Sequence, residues 1–197
     1  MHRTSLKNIQ ISAIMDFMFV TQKNIFSENA LAELKRYIKN RKLSLTNKIL
    51  EEDYAVNTKE RTSSDIVHNP KMGKIYFDLQ DLPEIIVSEL TTIAKQHNPN
   101  ATFHTGTYTE YKGLYGRPHL PMHKDRFDHF LLIDYQYDSN TDWELLAEDQ
   151  SISLKNNDAL IIYPGTVTHG RPEKIFSDND YVSMIFFDFW RNDNGRA

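Results

Sequence analysis

His123 and Asp125 stand two residues apart in Pro118-His119-Leu120-Pro121-Met122-His123-Lys124-Asp125, the spacing that puts two side chains on one face of an extended strand. A second histidine, His169, follows far downstream, after the apolar run Ala159-Leu160-Ile161-Ile162-Tyr163. Two imidazoles and one carboxylate partly neutralise a divalent ion and leave three coordination positions open, a donor set that suits Fe(II) with exogenous ligands. His119 competes for a place in such a set, because His119 and His123 are i and i+4. That spacing converges only on a helix, and Pro118 and Pro121 oppose one. His104 and His129 have no partner at a suggestive spacing and are read as structural. The chain contains no cysteine, so disulfide scaffolds and thiolate metal sites are excluded, and any metal must be held by His, Asp, Glu or backbone oxygens.

Ligands so far apart in the chain need paired strands to bring them together. From Thr102 onward short strands are expected at 102–111, 122–125, 129–137, 143–147, 150–154, 158–163, 166–169 and 181–190, separated by turn signals such as Gly116-Arg117-Pro118, Asn156-Asn157-Asp158 and Asp178-Asn179-Asp180. About eight short strands at this spacing indicate a sandwich or barrel of the jelly-roll kind. Upstream the period is helical. Ser27 as N-cap, acidic Glu28, and Leu31, Leu34 and Ile38 on one face predict a first helix, and Phe17-Met18-Phe19-Val20 before it reads as a strand. Lys74–Asp78 reads as another strand. A second helix opens at Asp81 or Leu82 with Pro83 early, carries Ile85, Ile86, Leu90, Ile93 and Ala94, and ends at Gln96-His97-Asn98-Pro99. Residues 1–15 give no clear pattern. Residues 43–72 are polar and irregular, a long surface segment of the type that forms lids. The expected class is α+β, mainly β: one domain over 1–197, in which strands, helices and a lid segment in 1–101 support a jelly-roll core in 102–190.

The bulk composition agrees with one globular domain, at 197 residues, 40% hydrophobic and 25% charged. A net charge of −4, with no basic cluster beyond Lys35-Arg36 and Arg41-Lys42, argues against nucleic acid or an anionic membrane as partner. No apolar run reaches the ~18 residues a spanning helix needs. The first residues interleave Asn8, Gln10, Ser12 and Asp16 with apolar ones, unlike a secretory signal. The expectation is a soluble cytoplasmic protein.

The order His123-x-Asp125, then Asn157-Asp158-Ala159-Leu160-Ile161-Ile162, then His169, is framed by the Tyr- and Gly-rich segment Tyr108–Gly116 and the run His129–Tyr137. Over residues 105–190 this resembles the Fe(II)/2-oxoglutarate-dependent dioxygenases of the prolyl-hydroxylase-like branch. The resemblance implies a double-stranded β-helix in which His123, Asp125 and His169 converge on Fe(II) inside the barrel mouth. It also implies 2-oxoglutarate and O2 as co-substrates, with oxidative decarboxylation to succinate and carbon dioxide driving hydroxylation of an amino acid, a peptide side chain or another small polar metabolite. One feature departs from the family pattern. Where these enzymes hold the distal carboxylate of 2-oxoglutarate with Arg or Lys, this chain has Tyr181-x-Ser183.

Three alternatives fill that gap. Arg171, two residues after His169, points to the same side of a continuing strand and offers a carboxylate a bidentate fork; it reads equally well as a surface residue capping the strand end. Lys174 or Arg117 could reach in from a loop. Or the chain uses no 2-oxoglutarate, its substrate ligating iron directly. Tyr135 lies where the related hydroxylases have a tyrosine touching the co-substrate, and Tyr111 lies on the strand leading to the metal motif. Each hydroxyl could donate to a carboxylate, and each ring is equally a core aromatic. Phe186, Phe187, Phe189 and Trp190 read as barrel packing. Residues 43–72 and the Lys112–Pro118 loop are candidates to cover the site. Two rival functions remain at this level: a non-catalytic jelly-roll binding module that has kept the triad, and an Fe(II) oxidase without a co-substrate.

Overall fold

The computed structural model describes residues 19–49, 65–125, 130–163 and 165–191. Helix α1, Glu28–Leu43, starts where Ser27 Oγ accepts the Ala30 N–H at 3.3 Å, with Glu28 in the first turn and Arg41 and Lys42 in the last, each complementing the helix dipole. It buries Ala30, Leu34 and Ile38. Helix α2, Glu84–His97, opens directly after Pro83 and buries Ile86, Leu90, Ile93 and Ala94, leaving Ile85 partly exposed. No described helix is long and apolar enough to cross a membrane.

Twelve strands are seen among the described residues. They are β1 (Phe19–Gln22), β2 (Thr46–Ile49), β3 (Asp65–Asn69), β4 (Lys74–Leu79), β5 (Ala101–Lys112), β6 (Leu120–His123), β7 (Leu131–Ser139), β8 (Leu145–Ala147), β9 (Gln150–Ile152), β10 (Ala159–Ile162), β11 (His169–Arg171) and β12 (Tyr181–Arg191). Three expectations are corrected. The polar stretch 43–72 is not all loop: it contributes β2, β3 and a 3-10 turn at Pro70–Met72, and its central part, with the expected lid, lies outside the described residues. The strand expected at 122–125 stops at His123, so Asp125 follows in a loop. The strand expected at 166–169 begins at His169 instead, which puts Arg171 on it. Residues 1–18, including the segment 1–15, and His129 also lie outside the described residues.

The strands form an eight-stranded sheet, β1-β10-β7-β12-β5-β4-β3-β2, and a four-stranded sheet, β6-β11-β8-β9. All described pairs are antiparallel except β2 with β3. Two cores result. One lies between the helices and the outward face of the large sheet, where Leu34, Ile86 and Leu90 meet Ile133, Tyr135, Ile185 and Phe187. The other lies between the sheets, where Leu132, Leu160, Ile162, Val182 and Met184 meet Trp143, Leu145, Ala147 and Val167. Two sheets face to face, with helices covering one of them, make a jelly roll with supporting helices.

Candidate metal centre

β6 and β11 are neighbours in the small sheet, and His123 pairs directly with His169 across them. The close approach depends on Gly170, between the two inward-facing side chains of β11: a Cβ there would lie 2.6 Å from the Leu120 carbonyl oxygen of β6. The imidazole rings of His123 and His169 are 4.5 Å apart. Asp125 reaches both from the loop after β6, with His123 Nε2 at 3.4 Å from Oδ1 and His169 Nε2 at 3.3 Å from Oδ2. One ligand atom from each of the three residues lies within 4.8 Å of the others.

The outer nitrogens decide what the inner ones can do. His123 Nδ1 lies 2.8 Å from the Pro121 carbonyl and His169 Nδ1 3.3 Å from the Val167 carbonyl, so each ring donates its Nδ1 proton to the backbone and turns an Nε2 lone pair toward Asp125. Asp125 Oδ2 is buried and accepts no hydrogen bond among the described residues. Lone pairs of two imidazoles and a carboxylate aimed at one point fit a divalent cation, and the N2O set suits Fe(II). Burial lowers the His169 pKa, the Asp125 charge opposing it. Burial also lowers that of His123, but the hydrogen bond to Asp125, the Pro121 carbonyl and the charges of Asp125 and Asp134 outweigh it, and the net shift is upward. Protons and a metal therefore compete for this cluster.

Arg171, on the same side of β11 as His169, is 2% exposed. Its guanidinium donates to the Trp143 carbonyl, to Gln136 Oε1 at 3.3 Å and toward Met184 Sδ at 3.4 Å, and lies 5.1 Å from the Trp143 ring. It makes no ion pair among the described residues. Burial lowers its pKa to about 10, which leaves it a cation at neutral pH. The reading of Arg171 as a surface strand cap is thereby corrected. Tyr111 faces the same interior, its ring edge-on to Trp143 at 4.9 Å.

The other candidates lie elsewhere. Tyr135 is on the outward face of β7, its ring 5.0 Å from Phe26, so it points into the helix-covered core and away from the metal ligands. On β12 the inward residues are Val182 and Met184. Tyr181 instead donates to Asp138 Oδ2 at 3.0 Å, and Ser183 Oγ accepts from the Tyr108 hydroxyl at 3.1 Å on the outward side. Tyr135, Tyr181 and Ser183 therefore all turn away from the side of the sheet that carries Arg171. Lys174 donates to the Asp142 carbonyl, and Arg117 pairs with Glu173 at 3.3 Å with its side chain 80% exposed, so both stay outside.

Two functional candidates were missed, both on the inward face of β7. Asp134, 2% exposed, has Oδ2 at 3.8 Å from His169 Nε2 and accepting no hydrogen bond among the described residues. Burial first, then the charge of Asp125, raises its pKa to about 8, with His123 and Arg171 opposing. Gln136 holds Arg171. The available signal was a carboxylate and an amide at alternate positions of the otherwise apolar run Leu131–Tyr137.

No protein-family model matches the chain, and no curated protein matches it significantly. Solved structures match in fold. A prolyl hydroxylase from Trichoplax adhaerens, in complex with a peptide fragment of the hypoxia inducible factor oxygen degradation domain, superposes with a TM-score of 0.58 at 10% identity, covering 93% of this chain and 88% of that one. The non-haem alpha-ketoglutarate-dependent epimerase SnoN of nogalamycin biosynthesis gives 0.62 at 8% identity, covering 93% and 82%. A 2OG-Fe(II) oxygenase family oxidoreductase from Burkholderia pseudomallei gives 0.57 at 11%, covering 98% and 95%. At such identities the likeness is one of fold: this chain has the jelly roll found in the prolyl-hydroxylase-like oxygenases.

Proposed function

We propose that the protein is a non-haem Fe(II)- and 2-oxoglutarate-dependent oxygenase of one domain, hydroxylating an amino acid, a peptide or a small polar metabolite. The observation that carries this reading is the pairing, on one face of one short strand, of a metal-ligand histidine with a buried cation that has no ion-pair partner among the described residues. A buried, unpaired guanidinium is costly unless an anion meets it, and a dicarboxylate that chelates a metal at one end reaches for a cation at the other.

His123, Asp125 and His169 would hold the iron through Nε2, a carboxylate oxygen and Nε2. When bound, the iron supplies O2 activation coupled to decarboxylation of the oxo acid. The chain's own part is to bind and orient. The Pro121 and Val167 carbonyls fix the imidazole tautomers. Arg171 receives the distal carboxylate, with Tyr111 beside it as a second donor, and so takes the role that Tyr181 and Ser183 cannot fill from the outward face. Met184, whose sulfur lies 3.4 Å from the guanidinium, and its apolar neighbours Leu132 and Val182 in the same core shield the Arg171 end from water. The peptide bound by the Trichoplax hydroxylase makes a peptide side chain one of the substrates to test.

Purified protein given Fe(II), ascorbate and labelled 2-oxoglutarate is expected to release carbon dioxide and form succinate, and anaerobic addition of 2-oxoglutarate to the Fe(II) protein to raise a weak visible charge-transfer band. Absence of both band and turnover, with iron bound, would leave an iron oxidase or a binding module. Arg171→Met, which keeps volume and removes the charge, should weaken 2-oxoglutarate binding by about 100-fold with iron affinity retained.

A further inference from the structure

Arg171 is surrounded by neutral acceptors. Its guanidinium meets the Trp143 carbonyl, the Gln136 amide oxygen and the Met184 sulfur, and no carboxylate pairs with it among the described residues. Of these groups Gln136 is the one whose side chain could as readily have been an acid. The amide is 4% exposed and cannot turn over: its Nε2 donates to the Leu154 carbonyl at 2.8 Å and to Ser139 Oγ at 3.2 Å, while Ser139 Oγ donates onward to Asn156 Oδ1 at 3.0 Å. With the nitrogen committed to acceptors, Oε1 must face the guanidinium.

We infer that Gln136 is the positioning residue that keeps Arg171 open to an external carboxylate, orienting the guanidinium without cancelling its charge. The inference rests on Arg171 being the anchor proposed above. A neutral amide gives one charge-assisted hydrogen bond and leaves the guanidinium's own charge uncancelled. A glutamate of the same length would lie within the same 3.3 Å and form an internal ion pair, closing the anchor to any dicarboxylate. Gln136 thus selects for the dicarboxylate over oxo acids with an uncharged tail.

The test compares wild-type protein with Gln136→Glu, loaded with Fe(II) and titrated anaerobically with 2-oxoglutarate and with 2-oxovalerate, which has the same chain length but no distal carboxylate. Iron affinity and melting temperature are measured alongside. Wild-type protein should prefer 2-oxoglutarate. In Gln136→Glu its affinity should fall by about 100-fold, to the level of 2-oxovalerate, with 2-oxovalerate affinity and iron affinity little changed, while the melting temperature reads separately the loss of the amide's bonds to Leu154 and Ser139. A merely structural role would weaken both oxo acids together. Gln136→Met removes the acceptor at constant volume and should cost roughly 10-fold for 2-oxoglutarate alone; it serves as the test if the glutamate variant does not fold. If wild-type protein prefers 2-oxoglutarate and the variants keep that preference, the inference fails while the proposed function stands. If wild-type protein loaded with iron binds no 2-oxoglutarate, both fail.

Discussion

The two faces of the large sheet are built from the same strands and carry opposite loads. On β7, Leu131, Ile133 and Tyr135 turn outward into the helix-covered core, while Leu132, Asp134 and Gln136 turn inward. The outward neighbours on β12 are Ile185, Phe187 and Phe189, and the inward ones are Val182 and Met184, beside Arg171. One face gains stability from apolar contact with α1 and α2. The other holds an acid and, across from it, a cation, both buried and neither paired with the other. Such buried polar and charged groups cost stability by themselves and are retained where a ligand or metal meets them. Changes on the inward side should therefore move ligand affinity more than stability, and changes on the outward side the reverse.

The largest separation is expected from Asp125→Ala. It removes a ligand and should lower Fe(II) affinity by more than the roughly 100-fold that an outer-shell partner is worth. Stability of the metal-free protein should change far less than iron affinity, because the variant loses a buried Oδ2 that has no hydrogen bond along with the Oδ1 contact to His123 at 3.4 Å. Metal titration and thermal melts read the two quantities separately; unchanged iron affinity would remove Asp125 from the site. On the other face Phe187→Ala should cost about 3–5 kcal/mol of stability, since Phe187 is fully buried between Phe26 and Tyr135. Iron affinity of the folded variant should match wild type. A variant that loses iron in proportion to stability would show that the two faces are coupled.

The same strand explains what could be read from the sequence. His123, Asp125 and His169 were legible because charged and polar ligands at fixed spacing stand out against apolar strands, and the family order of segments came with them. The helices were legible from Ser27, Pro83 and a 3.6-residue period. Strand phase was not. In an amphipathic strand the polar residues mark the solvent side, but the first six residues of β7, Leu131–Gln136, are all buried, with apolar side chains on both faces. The family resemblance put Tyr135 at the co-substrate, and the strand's own pattern offered nothing to set it apart from its neighbours Asp134 and Gln136, which are the inward residues; Tyr181 and Ser183 likewise face outward. On β11 the outcome differed because His169 fixed the phase, and Arg171 had to follow it.

A pH dependence sharpens the contrast further. Asp134 has its carboxyl raised from an ordinary 3.8 to about 8 in the folded protein, mainly by burial. Between those values the folded state holds a proton that the unfolded state releases. Stability of the metal-free protein therefore falls as pH rises through this window, by at most about 1.4 kcal/mol per pH unit from this one group. Asp134→Asn should remove that part of the slope, and denaturant unfolding of both proteins from pH 5 to 8 measures it. Parallel profiles would mean that Asp134 ionises without penalty and is not buried as described.

The smallest effect is expected from Tyr135→Phe, and it bears most directly on which face is which. The Tyr135 hydroxyl is buried and has no hydrogen-bond partner among the described residues, burial raises its pKa, and its ring packs edge-on against Phe26 and tilted against Phe187. Replacing it with Phe removes an unsatisfied hydroxyl and keeps the ring. Stability should stay within about 1 kcal/mol of wild type, on the stabilising side. Affinity for 2-oxoglutarate should change by less than about 2-fold, because the hydroxyl points away from Arg171. A loss of 10-fold or more would put Tyr135 at the co-substrate and invert the assignment of faces along β7, with Asp134 and Gln136 then turned toward the helices.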